Sequence, residues 1–439
     1  AEMAGKVFWL LLGLLLARGV FLGRRDELLA LLIATAPFLS LLRSYLFYNV
    51  IIAVFGLVAG YYLVSGTTRL WGTIRRYPLF TGVAGWVAVY YGLSFFNTRD
   101  YAINLRLFEF AFTILGILLL SRHKVLLGAA LLGNLLSAWM VGAAMLPHMG
   151  TSERLGIIAV EGRLLGNPGQ LGLPLATGFL ALVLENGRWV NLERRPLLRW
   201  SMTAVTVGLL ALTTSRASWL VAFIGVLVLF VFGRRQRMKL MWLALVGVIG
   251  ISVIMVTPYG GALRKGWERT FGENYSIRKK TSGRSDQWLV SKYVFTRSID
   301  SMIHGYRPGR GPQTYAKFSP EVPGVRYGVG RKVALHSLFM QMLVETGIVG
   351  LGCFLVWLLA VLIRVWAHMA ENGILPFACF FGYFFTVVSV SGSDINSGIL
   401  LGMALIGTAA AGSSVRGGLQ PGVPRKEIIH IDAGGACHN

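Results

Sequence analysis

Apolar residues in this chain gather into long runs separated by short polar breaks. The runs lie near residues 6–22, 27–46, 47–66, 79–96, 103–121, 125–146, 169–186, 198–214, 217–232, 239–256, 336–363, 374–391 and 397–412. Runs of this length with few charges are the pattern of helices that cross a bilayer. The expected fold class is all-α: a polytopic transmembrane helical protein with about twelve spans. The first run has the apolar core of a signal peptide, but it is read as a retained span because no soluble domain follows it. Two segments depart from the pattern. In the loop 257–335, SDQWLVSKYVFTRSI repeats its apolar positions at helical spacing, and GYRPGRGPQTY reads as a turn that brings backbone close to a ligand. After Ala411 the chain becomes rich in Gly, Pro and charge. The expected organisation is therefore one membrane domain, residues 1–412 including the loop 257–335, and a disordered tail, residues 413–439.

Composition agrees with the pattern: 55% of the 439 residues are hydrophobic and 14% charged, with a mean hydropathy of +0.62. Charge changes the picture more. The net charge is +23. Basic breaks at Arg69/Arg75/Arg76, Arg122/Lys124, Arg188/Arg194/Arg195/Arg199 and Arg234/Arg235/Arg237/Lys239 alternate along the chain and are expected to face the cytoplasm. Residues 147–168, the Ser215–Arg216 break and the loop 257–335 then lie on the opposite side. That loop carries 15 Lys and Arg against 5 Asp and Glu in 79 residues, long enough to escape the orientation rule. Its charge calls for either an anionic ligand or anionic lipid headgroups. Cys353 and Cys379 lie in apolar runs and Cys437 in the tail, so neither a disulfide framework nor a zinc site is indicated. His430, Cys437 and His438 in the tail lack metal-ligand spacing.

Candidate chemistry gathers where polar breaks meet apolar runs. Arg163 (GRLLGNPGQLG), Arg216 (TTSRASWL, preceded by Ser215), Arg284 (TSGRSDQW), and Arg307 and Arg310 (GYRPGRGPQTY) all fall on the side opposite the basic breaks. Arg216 stands out, since a guanidinium between two apolar runs is costly unless it is paired or used. Converging guanidiniums suit a diphosphate, which takes a planar bidentate donor fork. Asp286 and Asp300 are isolated, so no Asp-rich motif offers a metal site. His336 is read in the first turn of the helix that begins ALHSLFMQMLVETGIVG, where the helix N-terminus disfavours imidazolium and keeps the ring able to accept a proton. Glu345, nine residues on, falls on about the opposite face. It and Glu109, also within an apolar run, are expected to pair with Arg or Ser of another helix rather than relay protons.

Many spans, then TTSRASWL, a long loop holding TSGRSDQW and GYRPGRGPQTY, and then HSLFMQMLVETGIVG: in this order the chain resembles the O-antigen ligase family of Gram-negative inner membranes, with its related O-antigen polymerases and protein O-oligosaccharyltransferases, over about residues 160–350. The resemblance implies a GT-C-like helical fold and a metal-independent, inverting glycosyl transfer on the periplasmic side, with no cofactor. His336, Arg216 and Arg284 would be functional residues. The donor would be a glycan on undecaprenyl diphosphate and the acceptor a hydroxyl of lipid A-core; membrane lipids are the other partners, and nucleic acid is not among them. This chain has His336-Ser337 where many relatives have His-Asn. Polymerase, protein oligosaccharyltransferase and a non-enzymatic transporter of lipid-linked glycan are the competing readings.

Overall fold

A computed structural model describes residues 18–19, 22–42, 48–98, 101–148, 155, 158–160, 163–165, 168–184, 192–232, 237–257, 259–272, 283–389 and 394–410. The first apolar run is mostly outside these residues, and so is the tail with His430, Cys437 and His438.

Each of the other apolar runs coincides with a helix. In chain order these are α1 (Arg25–Leu42), α2 (Tyr48–Arg76), α3 (Pro78–Thr98), α4 (Tyr101–Leu120), α5 (Lys124–Met145), α6 (Pro168–Leu184), α7 (Pro196–Thr213), α8 (Arg216–Phe232) and α9 (Arg237–Val256). Four helices of the loop follow, α10 (Gly260–Phe271), α11 (Arg284–Thr296), α12 (Ile299–His304) and α13 (Gly311–Phe318), and then α14 (Leu338–Ala367), α15 (Met369–Asn372), α16 (Leu375–Ser389) and α17 (Ile395–Ile406). Among the described residues, four helices are long and apolar enough to cross a membrane, Pro78–Asn97, Lys124–Met145, Pro196–Thr213 and Leu338–Ala367, and six shorter apolar helices join them. The chain is a polytopic membrane protein. The all-α expectation needs one correction: strands β1 (Ile158–Val160) and β2 (Arg163–Leu165) form an antiparallel hairpin, with Val160 opposite Arg163. β-branched Ile158 and Val160 suit a pleated ribbon better than a helix.

Two cores hold the fold. One runs through the membrane helices, where α5 packs against α1 and α17 against α4 and α16. The other lies in the polar loop and against the first turns of α14, built from Val290, Val294, Tyr315, Phe318 and Leu335 of the loop with Val344 of α14. The segment 283–336 is therefore a packed cap with its own apolar interior. Expectation and structure differ within it. The helix read through SDQWLVSKYVFTRSI is two helices, because Ser298 begins α12 with a capping box: its hydroxyl accepts from Ser301 N, and Ser301 Oγ accepts from Ser298 N, both at 3.0 Å. GYRPGRGPQTY is a turn only as far as Arg310, after which Gly311-Pro312 opens α13.

Contacts sort the helix ends. Tyr77, just before α3, hydrogen-bonds Ser121 just after α4 at 3.0 Å, and Trp357 of α14 donates to Leu79 O at 2.9 Å. At the far end of α3, Asn97 Nδ2 donates to Pro308 O of the cap at 3.1 Å. With 21 residues, α3 sets these ends about 30 Å apart. Phe232, closing α8, stacks edge-on with Trp366 and Phe377 at centroid distances of 5.6 and 5.4 Å. The basic stretches around Arg76, Arg122 and the α8 exit thus share one end of the bundle, and the cap covers the other. Arg199 is different from its basic neighbours. It is buried, and its Nε and Nη2 donate to Leu182 O and Val183 O at 2.5 and 3.0 Å, satisfying carbonyls at the C-terminus of α6.

Candidate active site

The capped end is built from reversals that the sequence specifies locally. Between α7 and α8 only Thr214 and Ser215 remain outside the helices. Thr214 takes a left-handed conformation (φ 48, ψ 26), and its N–H donates to Ala211 O at 3.2 Å. Thr213 Oγ1 donates to Leu210 O at 2.7 Å and accepts from Ser215 N at 3.3 Å; Ser215 and Ser218 hydroxyls meet at 2.9 Å. Small hydroxyl side chains complete backbone hydrogen bonds that a tight reversal leaves open. Ser215 thus serves the turn, and the turn places Arg216 as the first residue of α8. Helix α10 crosses above: a Cβ on Gly266 would lie 2.6 Å from Thr214 Cγ2.

Arg284 likewise opens a helix. Gly283 (φ 79) precedes α11, and a Cβ there would sit 2.6 Å from the Tyr327 ring, so the close approach and the positive φ both call for glycine. Burial lowers the pKa of Arg284, and the Arg216 guanidinium lowers it further. The two cations are within reach of each other's charge. Each also stands at a helix N-terminus, where the partial positive charge of free N–H groups disfavours a cation. The first turn of α8 has no acid, and that of α11 has only Asp286. Buried Asp286 accepts from Arg326 N and Tyr327 N of the cap through Oδ2 at 2.9 and 3.0 Å. Tyr315, which donates to Tyr327 O at 2.5 Å, has its pKa pushed up to about 12 by burial and the nearby Asp286. Two electrostatically coupled guanidiniums, each opening a helix, form a field suited to a multiply charged anion.

His336 connects to the same helix. Buried Gln287, one turn after Arg284, reads both sides of the strand-like stretch before α14: its Nε2 donates to Ala334 O at 3.3 Å, and its Oε1 accepts from His336 N at 3.1 Å. The backbone of His336 is thereby tied to the side chain of a residue that follows Arg284 by three positions, about 4.5 Å of rise along α11. The position of His336 on α14 is corrected. Ser337 is the N-cap, its hydroxyl accepting from Met340 N at 3.4 Å, and His336 precedes it. It lies outside the helix, so face counting along α14 does not apply to it. A serine before an apolar run is an N-cap signal, and it could have located this boundary. Gln287 was missed altogether; its i, i+3 spacing from Arg284 was the available clue.

Glu345 is buried and does not pair with Arg or Ser of another helix. It accepts from Gly309 N at 2.9 Å, Gly311 N at 2.8 Å, Gln341 Nε2 at 3.2 Å and the Tyr90 hydroxyl. The carboxylate holds the GYRPGRG turn onto α14, helped by a bond from Tyr306 N to Val344 O at 2.8 Å. At Gly347 (φ 63, ψ −162) α14 leaves helical geometry, and a Cβ there would collide with Ile303 O of α12. Arg307 and Arg310 are exposed on this turn, whose anchors are α3 and α14 rather than α8 or α11. Arg163 contributes its backbone to β2, and its side chain falls outside the described residues. Glu109 is buried within α4, where a Cβ on Gly398 of α17 would approach the carbonyl of adjacent Phe110 to 3.0 Å. Among the described residues, no group of three or more His, Cys, Asp or Glu is placed to hold a metal ion.

This sequence of elements, from α7 across the cap into α14, is also what a family comparison selects: residues 201–355 match the family model of O-antigen ligase. That segment is an O-antigen ligase family domain. It contains Arg216, Arg284, Arg307, Arg310, His336 and Glu345, and it begins after Arg163, later than the residue 160 or so from which the resemblance was read. No curated protein matches the chain.

Proposed function

We propose that the protein is an O-antigen ligase, an inverting glycosyltransferase that moves glycan from undecaprenyl diphosphate to a hydroxyl of lipid A-core in lipopolysaccharide synthesis. The observation that carries this reading is the pairing of the Arg216 and Arg284 guanidiniums at two helix N-termini, one turn from the tether of His336, inside the O-antigen ligase domain. In the reaction, His336 takes the proton of the acceptor hydroxyl as its oxygen attacks the anomeric carbon. The bond from that carbon to the diphosphate oxygen breaks with inversion. Arg216 and Arg284 stabilise the charge that gathers on undecaprenyl diphosphate as it leaves. Diphosphate is a good leaving group, so no strong general acid is required. The guanidiniums supply the neutralisation for which other enzymes use a divalent cation, while Asp286 and Glu345 are engaged with backbone amides.

A groove of about 710 Å³ along α7, α8 and α9 supports the same reading. Its walls include Leu210, Trp219 and Ile251, it runs beneath α10 beside the Arg216 turn, and an isoprenoid chain suits it. The positive-inside rule assigns the basic end to the cytoplasm of a Gram-negative inner membrane and the cap to the periplasm. Incubating the purified protein with lipid-linked glycan and lipid A-core should yield the joined glycolipid and free undecaprenyl diphosphate. A product in which glycan is joined to a second lipid-linked glycan, or to a protein Ser or Thr, would replace this reading with a polymerase or a protein oligosaccharyltransferase. No transfer to any acceptor would remove it.

A further inference from the structure

A second apolar recess, of about 370 Å³, lies between α3 and α14, on helices separate from those that carry the arginine pair. It is elongated. Its lining runs along α3 from Gly82 to Leu93, about 16 Å at the helical rise. Val89 and Leu93 line it while 61% and 46% exposed, so it opens sideways toward surrounding lipid. Cys353 and Trp357 line it from α14, and Pro308 of the GYRPGRG turn closes it at the capped end. Flanking Pro308, Arg307 and Arg310 are both exposed. The turn is firmly held: Asn97 bonds Pro308 O, Glu345 accepts from Gly309 and Gly311, and Tyr90, itself in the lining, reaches the same carboxylate. The result is an elongated apolar slot whose capped end is closed by a fixed turn carrying two exposed arginines.

We infer that the slot between α3 and α14 takes an acyl chain of the acceptor, an acylated phosphoglycolipid, while Arg307 and Arg310 bind phosphate on its sugar. Charge complementarity at the head of an apolar channel selects a lipid with an anionic headgroup. Continuity with the site selects the acceptor over bulk lipid, because α14 starts two residues after His336 and a chain lying along α14 brings its headgroup toward the group that would accept its proton. The inference rests on the proposed ligase reading for the identity of the acceptor. It separates the substrates, with donor beside α8 and acceptor beside α14.

A lipid A-core carrying a photoreactive diazirine in an acyl chain, mixed with the full chain in lipid nanodiscs and irradiated, should label peptides containing residues 82–93 and 342–357. Phosphatidylglycerol carrying the same group should lose its labelling there when lipid A-core is added. Kinetically, Val89→Trp, which fills the slot from an exposed position, and the double variant Arg307→Ala/Arg310→Ala should each raise the acceptor KM about tenfold or more, with the donor KM within about twofold and kcat at saturating acceptor retained. Labelling confined to other helices, phosphatidylglycerol labelling that lipid A-core does not displace, or a rise in donor KM instead would each overturn the inference. Transfer by the unsubstituted protein tests the ligase reading separately. If that transfer occurs and the acceptor KM does not move in either variant, the slot assignment alone falls.

Discussion

The two ends of the helix bundle use the same residue types to opposite effect. At the basic end, Asp26 is met by partners: Arg69 Nη1 donates to its Oδ2 at 2.9 Å, the His123 ring lies at 2.9 Å from the same oxygen, and Tyr62 donates to its Oδ1 at 3.0 Å. At the capped end, Arg216 and Arg284 feel each other's charge, while the buried acids Asp286 and Glu345 accept from backbone amides of the cap. Arg69 is paired with a carboxylate, whereas Arg216 and Arg284, which the proposed function assigns to an anionic leaving group, each open a helix whose N-terminal field adds to their positive charge.

The largest expected effect is at His336. His336→Ala should lower the transfer rate by about 10²- to 10⁴-fold while leaving donor affinity nearly unchanged, and the acid-side fall in the wild-type pH–rate profile should be absent from the residual activity. Measuring donor binding and single-turnover rate separately decides this; a variant that turns over normally, or fails only in binding donor, is inconsistent with a base.

Next come the paired guanidiniums. Arg216→Ala and Arg284→Ala are each expected to lose about 10²- to 10³-fold in turnover, with the Lys variants recovering part, because lysine restores charge without the bidentate fork. Arg69→Ala at the other end should leave turnover intact. Wild-type rates in both alanine variants, in protein shown to be folded and in the membrane, would erase the distinction between the two ends.

The acids sharpen the comparison at smaller scale. Glu345→Ala strips the acceptor from two buried backbone N–H groups, and a loss of about 2–5 kcal/mol in stability is expected, read as a lowered thermal midpoint. Asp26→Ala at the basic end should cost about 1 kcal/mol, since its pair with Arg69 is partly solvated, and should not change transfer. The smallest effect is expected from chelation: EDTA should leave transfer unchanged, and loss restored by Mg²⁺ or Mn²⁺ would mean that a cation does what is assigned here to Arg216 and Arg284.

Much of the architecture is legible in one dimension. The apolar runs coincide with helices because burying or dissolving apolar side chains in lipid is a local property of each run. TTSRASWL announces its reversal because Thr, Ser and an interrupted apolar pattern mark a helix end wherever they occur. The readings that failed depended on capping or on distant partners. His336 lies two residues before α14 rather than in its first turn because Ser337 caps the helix, and the loop helix breaks at Ser298 because that serine caps α12. The partners of Glu345, drawn from Tyr90 on α3 and Gly309 and Gly311 on the cap, lie 255, 36 and 34 residues away in the chain, and no local pattern announces them.

By itself the sequence determined that this is a helical membrane protein, that its loops divide basic breaks from a long cationic cap, and that Arg216, Arg284 and His336 belong to one family domain. Those properties follow from hydropathy, charge and residue order, which need no folding to exist. Only the tertiary structure decided that Arg216 and Arg284 feel each other's charge, that Gln287 ties His336 to the helix of Arg284, and that Asp286 and Glu345 accept from backbone amides of the cap. Proximity between residues 68 positions apart is set by how helices pack, and the cost of placing like charges together is met by the rest of the fold.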